Sequence, residues 1–139
     1  MSDPTLSGTP PSVEGIESRP SPFSVEETLA RLKGVIGSRS LTLFAQIDHS
    51  DLARGVGLTM QEAHVLIFGN PKGGTPLMIA SPLLALDLPL KVLVWQSADG
   101  RVWVSTNSVT YLRDRYAIPQ TLAGNLAVVD AVMQQALQS

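Results

Sequence analysis

The sequence contains no cysteine, which removes disulfides, thiolate metal centres, iron–sulfur clusters and a cysteine nucleophile from consideration together. A chain of 139 residues can hold a core without covalent staples, so this absence costs the fold nothing. It fits a reducing compartment, and the expected location is cytoplasmic. Charge is sparse as well: 10 Lys and Arg stand against 12 Asp and Glu, a net charge of −2. The basic residues are scattered, with no cluster larger than a pair such as Arg113 and Arg115. Neither a nucleic-acid-binding face nor a polybasic membrane patch is therefore expected. Histidine occurs only at His49 and His64, with no His-x-x-x-His or Glu-x-x-His spacing. Asp48, Asp51 and Glu62 lie nearby, but nothing in the spacing demands a metal, and neither a metal nor a cofactor is expected. Long apolar runs are missing too. Leu77 to Leu90, the greasiest stretch, is interrupted by Ser81, Pro82, Asp87 and Pro89, so it is too short and too broken to span a bilayer. Residues 1–19 have no apolar run and no basic start, and no secretory signal is expected there.

What remains is a chain that is 44% hydrophobic, enough for one well-formed core. Residues 1–14, rich in Ser, Pro, Thr and Gly, read as a flexible tail. The folded core is expected over 15–117, with a C-terminal amphipathic helix over 118–139. Ile16 to Ser21 reads as an edge strand, the only kind that tolerates Pro20. Ser24 and Glu27 form a capping box ahead of a helix whose apolar face is Val25, Leu29, Leu32 and Ile36, with Gly37 as its C′ residue. Leu41 to Ile47 alternates as a strand with Leu41, Leu43, Ala45 and Ile47 on one face. Asp48 caps a short helix that Gly55 ends. Ala63 to Phe68 is apolar throughout and reads as central. Residues 69–74 read as a loop, after which Thr75 as N-cap and Pro76 at N1 open a helix. Ser81 and Pro82 repeat the signal and predict a kink or restart. Leu90 to Gln96 and Arg101 to Ser105 flank Asp99-Gly100 as a hairpin. Ser108 caps a short helix, and Pro119 opens a terminal one with a stripe of Leu122, Leu126, Val129, Met133 and Leu137. The order β-α-β-α-β-α-β-β-α-α indicates an α+β two-layer sandwich.

Four motifs occur in order: Ser24-Val25-Glu26-Glu27-Thr28, Phe44-Ala45-Gln46-Ile47-Asp48-His49, Leu66-Ile67-Phe68-Gly69-Asn70-Pro71 and Leu86-Asp87-Leu88-Pro89-Leu90-Lys91-Val92. Together they resemble the domain of unknown function 302 family, over roughly Ile16 to Tyr116. The resemblance implies a mostly antiparallel sheet backed by helices, similar to half of the TATA-binding protein in topology. It also implies pairing into homodimers, and it assigns no activity.

Candidate site residues fall into two groups. His49, beside Asp48 and Asp51, has the company of a general base, with Asp48 or the isolated Asp87 assisting; it reads equally as a surface residue at a helix start. His64 reads as structural. In the second group, Asn70, Lys72, Gly73, Gly74 and Thr75 stand where a buried strand meets a helix N-terminus, which suits an anionic ligand, or simply a tight turn. If the strands before His49 and Asn70 are parallel, both groups share one sheet edge and form one site. Three functions follow: a dimeric small-molecule or anion binding domain, a cofactor-free enzyme using His49, or an association scaffold.

Overall fold

The computed structural model describes residues 10–139. Most of the expected N-terminal tail, residues 1–9, lies outside the described residues. Strands β1 (Ile16–Ser21), β2 (Thr42–Asp48), β3 (Ala63–Gly69), β4 (Leu90–Gln96) and β5 (Val102–Asn107) form one sheet in the order β1-β5-β4-β3-β2. Every neighbouring pair is antiparallel. Helices α1 (Val25–Ser38), α2 (His49–Gly55), α3 (Pro71–Ala80), α4 (Val109–Arg115), α5 (Gln120–Ala123) and α6 (Val128–Ala136) connect or follow the strands, and Pro82–Leu86 is a 3₁₀ turn. The architecture is the expected α+β sandwich.

Strand alternation explains the two layers. Leu66 and Phe68 of β3, Val92 and Val94 of β4, and Val104 of β5 project to one face and are fully buried there. Leu32 and Ile36 of α1, Leu77 of α3, Leu112 of α4, and Val132 and Met133 of α6 cover them in one cluster. Residues of the opposite parity, such as Val65, Ile67 and Leu93, are only half-buried. On that second face Trp95 and Trp103 are direct cross-strand partners, with ring centroids 6.5 Å apart. Pro20 sits in β1, at the sheet edge, where its missing N–H interrupts no central ladder. Segment 118–139 belongs to the same core, since Leu126, Val129 and Met133 are buried in it. The terminal helix is not continuous. It breaks between α5 and α6 at Gly124-Asn125, two poor helix formers in succession.

Three local readings change. Ser24 caps α1 by accepting from the Glu27 N–H at 3.1 Å, but the helix runs past Gly37, and Ser40, with φ 57°, takes the left-handed position. In β2 the expected single face is split: Leu43 pairs with Phe68 and Ala45 with Ile67, so Phe44 is a bulge and Ala45 and Ile47 lie on the face opposite Leu43. Helix α3 begins at Pro71 with Asn70 as its cap, so the expected 69–74 loop is largely its first turns and Thr75 is an interior residue.

Two backbone positions test this account by denaturant unfolding. Ser40→Gly, which removes a Cβ from a left-handed position, should stabilise by about 0.5–1 kcal/mol. Gly15 has φ 82°, and a Cβ there would lie 2.7 Å from the Tyr111 ring. Gly15→Ala should therefore destabilise by more than about 1 kcal/mol.

Candidate functional site

The direction of β2 against β3 decides which residues meet. The pair is antiparallel, with Asp48 opposite His64 and Thr42 opposite Gly69. The parallel arrangement that would have joined His49 to Asn70 is thus excluded, and the two groups sit at opposite ends of the ladder.

At the Asn70 end, β3 runs directly into α3. The Asn70 Oδ1 accepts from the Lys72 N–H at 2.9 Å, and its carbonyl accepts from the N–H groups of Gly73 and Gly74 at 2.9 and 2.8 Å. The donors that an anion would have used are therefore already bonded within the helix. Beside this turn lies a cavity of about 400 Å³. Its walls are Leu41 and Phe44, the face of α3 carrying Gly73, Gly74, Leu77 and Met78, the Leu88–Leu90 segment, and Val128 of α6. The bulge turns Phe44 toward Gly69, where an added Cβ would lie 3.6 Å from its ring. Asn70, Thr75 and Asn125 supply the polar side chains. The Asn125 amide donates to the Gly73 carbonyl at 3.0 Å and so ties the α5–α6 break to α3. Of the ligand-binding candidates, Asn70, Gly73, Gly74 and Thr75 line this cavity, and Lys72 points to solvent outside it.

At the other end, Asp48 caps α2 by accepting from the Asp51 N–H at 2.9 Å. The Ser50 hydroxyl, buried, lies 2.5 Å from Asp48 Oδ1 and 3.0 Å from Glu62 Oε2. Glu62 Oε2 lies 2.7 Å from His64 Nε2, and His64 Nδ1 lies 3.7 Å from Asp48 Oδ2. The Ser50 hydrogen bond and the Asp51 amide hold the Asp48 carboxyl below its usual range. The His64 ring, followed by Ser50, does the same to Glu62. His49 stands exposed on the first turn of α2, and the Asp48 carboxylate bonds Ser50 and Asp51 rather than its ring. The residue that converges with the carboxylates is His64. The sequence held a signal for this: Glu62-x-His64 in a strand puts both side chains on one face. Which strand faces them is not a local property.

Asp87 joins neither group. Its carboxylate accepts from the Tyr116 hydroxyl and from Arg115 at 3.2 Å, tying the 3₁₀ turn to α4. Those partners answer the unfavourable position of an acid at a helix C-terminus.

Comparison with known proteins places this geometry in a family. Residues 17–139 match the family described as Domain of unknown function DUF302. The match runs past Tyr116 and includes α5 and α6. A protein named Fluoride-specific ion channel FluC 1 from Brucella suis biovar 1 (strain 1330) is 35% identical over 103 residues, 74% of this chain and 39% of the relative. A protein of the same name from Brucella abortus biovar 1 (strain 9-941) is 35% identical over 103 residues, 74% of this chain and 37% of the relative. This chain thus spans under two-fifths of the length of these curated relatives. Among solved structures, an uncharacterized conserved DUF302 protein from Bacillus stearothermophilus superposes with a TM-score of 0.74 at 17% identity, covering 90% of this chain and 97% of that one. At that identity the likeness concerns the fold. Among the described residues, no helix is long and apolar enough to cross a membrane.

The Asp87 contact raises the Tyr116 phenol above its ordinary range, because the carboxylate holds its proton and repels its charge. A raised folded value means that the stabilisation is complete below about pH 10 and is lost as the pH rises through the folded value. Tyr116→Phe should melt below wild type at pH 8, with the gap closing as the pH rises above about 10; a gap that is independent of pH would contradict the assignment.

Proposed function

We propose that this chain, which belongs to the DUF302 family, is a binding domain for a small, largely apolar molecule seated in the cavity between the β2 bulge and α3. The observation that carries the reading is the cavity itself. Its volume of about 400 Å³ falls within the roughly 300–1,000 Å³ of small-molecule sites. Apolar side chains form most of its wall, and a few polar groups from Asn70, Thr75 and Asn125 stand where they could orient a carbonyl or hydroxyl. With the Gly73 and Gly74 N–H groups bonded to Asn70, a neutral ligand suits the cavity better than an anionic one. The enzyme reading based on His49 gains no support, since that ring is exposed and lines no part of this cavity.

Gly73 and Gly74 give the reading a sharp test. Both lie in α3, where glycine weakens a helix by about 1 kcal/mol relative to alanine. A methyl at Gly73 would meet Asn125 at 4.0 Å, and one at Gly74 would meet Leu88 and Met78 at 3.9 Å, all ordinary contacts. Gly73→Ala/Gly74→Ala should therefore stabilise the fold by about 1–2 kcal/mol while narrowing the cavity. Neutral aromatic fragments that raise the melting temperature of wild type should lose that effect in the double variant. Equal effects in both proteins would place binding elsewhere.

A homodimer fits a second observation. The edge strand β2 and the segment that follows expose Phe44, Leu52, Val56 and Leu58, the last three at 62%, 75% and 65%. An unpaired edge beside such side chains is a natural twofold contact. Light scattering should give twice the 14.8 kDa chain mass, and Val56→Asp/Leu58→Asp should give the monomer. A monomeric wild type at micromolar concentration would end this reading.

A further inference from the structure

The cavity makes no use of the polar cluster at the opposite end of β2 and β3. There, Asp48, Glu62 and His64 offer ligand atoms that all lie within 4.8 Å of one another. His64 is the deciding residue. Its side chain is only 10% exposed, and Nδ1 is buried with no hydrogen-bond partner. Ionised Glu62 has no proton to give, so the 2.7 Å contact to its Oε2 requires His64 to donate from Nε2. A neutral ring then presents a bare Nδ1 lone pair to Asp48 Oδ2 at 3.7 Å, one electron donor facing another. Ser50 cannot relieve this: it has a single proton, already directed between Asp48 and Glu62. With the ring neutral, the arrangement lacks the positive charge that a cation between Nδ1 and Oδ2, or a proton on Nδ1, would supply.

We infer that this cluster is a site for a divalent first-row transition cation of the Zn²⁺ type, held between His64 Nδ1 and Asp48 Oδ2. Two ligand atoms bonded at about 2.1 Å lie about 3.4 Å apart at a tetrahedral angle and at most about 4.2 Å apart, so the 3.7 Å gap accepts such an ion with little movement. Glu62 acts through the ring: by taking the Nε2 proton it fixes the tautomer that leaves Nδ1 free to bind, and it adds the second negative charge. An imidazole ligand favours Zn²⁺ or Co²⁺ over Mg²⁺. The Asp48 and Glu62 side chains, 36% and 41% exposed, leave the site open to solvent for entry and for water ligands.

Calorimetric titration of the tag-free full chain with ZnCl₂ and MgCl₂ tests the inference. One Zn²⁺ per chain and no measurable Mg²⁺ are expected. Binding should survive His49→Ala, vanish in His64→Ala, and weaken at least about tenfold in Glu62→Gln. Retention in His64→Ala, loss in His49→Ala, or no stoichiometric Zn²⁺ binding by wild type would each overturn it. Because His64→Ala could disturb the fold, ¹⁵N NMR of the wild-type imidazoles provides a second readout. Zn²⁺ should move the His64 Nδ1 resonance while Nε2 keeps its proton; an unmoved Nδ1 signal would overturn the assignment.

Discussion

The antiparallel ladder between β2 and β3 sets where both candidate sites of this domain lie. It runs from Asp48 opposite His64 to Thr42 opposite Gly69, a span of about 20 Å at roughly 3.3 Å per residue. Its direction sends the chain into α2 at one end and into α3 at the other. The carboxylates and His64 are thereby gathered at the first end, and the cavity is left at the second. A parallel pairing would have merged them. The two places have separate chemistry because backbone hydrogen bonds keep them a strand's length apart.

The cavity lies where the core gives out. In the middle of the sheet, Leu66, Val92 and Val94 are fully covered by helices. Toward β2 that cover thins, and much of the strand is exposed. The bulge at Phe44 and the absence of side chains on Gly73 and Gly74 then leave space that Leu77, Met78 and Leu88 do not fill. Apolar walls without filling forgo dispersion contacts and cavity-closing stabilisation. Glycines inside α3 add a helix-propensity cost. Two destabilising features in one place, both lessened by methyl groups on Gly73 and Gly74, argue for a role beyond packing.

How much of this was legible in the sequence depends on the range of the forces involved. Short-range signals read correctly: the Ser24 cap, the apolar face of α1, the Asp48 cap, the Asp99-Gly100 hairpin and the Ser108 cap each depend on residues a few positions apart. The start of α3 was a closer contest. Asn70-Pro71 and Thr75-Pro76 carry the same cap-then-proline signal, and the structure uses the earlier one, carrying Pro76 inside the helix. Pairing direction was not legible, because the segment between Asp48 and Ala63 is long enough for either a hairpin-like return or a crossover. The sequence therefore set His49 beside the carboxylates, whereas the ladder brings His64 to Asp48. The bulge at Phe44 was equally hidden, since the alternation of Leu41, Leu43, Ala45 and Ile47 is what an unbroken strand would show. Asn70, Gly73, Gly74 and Thr75 were visible as a cluster, but their chemistry was not, because the N–H groups that suggested an anion are bonded inside α3.

The central claim is that the cavity beside α3 takes a small apolar ligand, independently of the cluster at the other end of the ladder. An amide and methyl NMR titration of the intact chain with a neutral aromatic fragment tests this most directly. Shifts confined to Phe44, Gly69, Gly73 to Met78 and Leu88, with Asp48 to Ser50 and His64 unmoved, are the result predicted. Shifts centred on His64 or on the Trp95–Trp103 face, with the α3 residues silent, would contradict it.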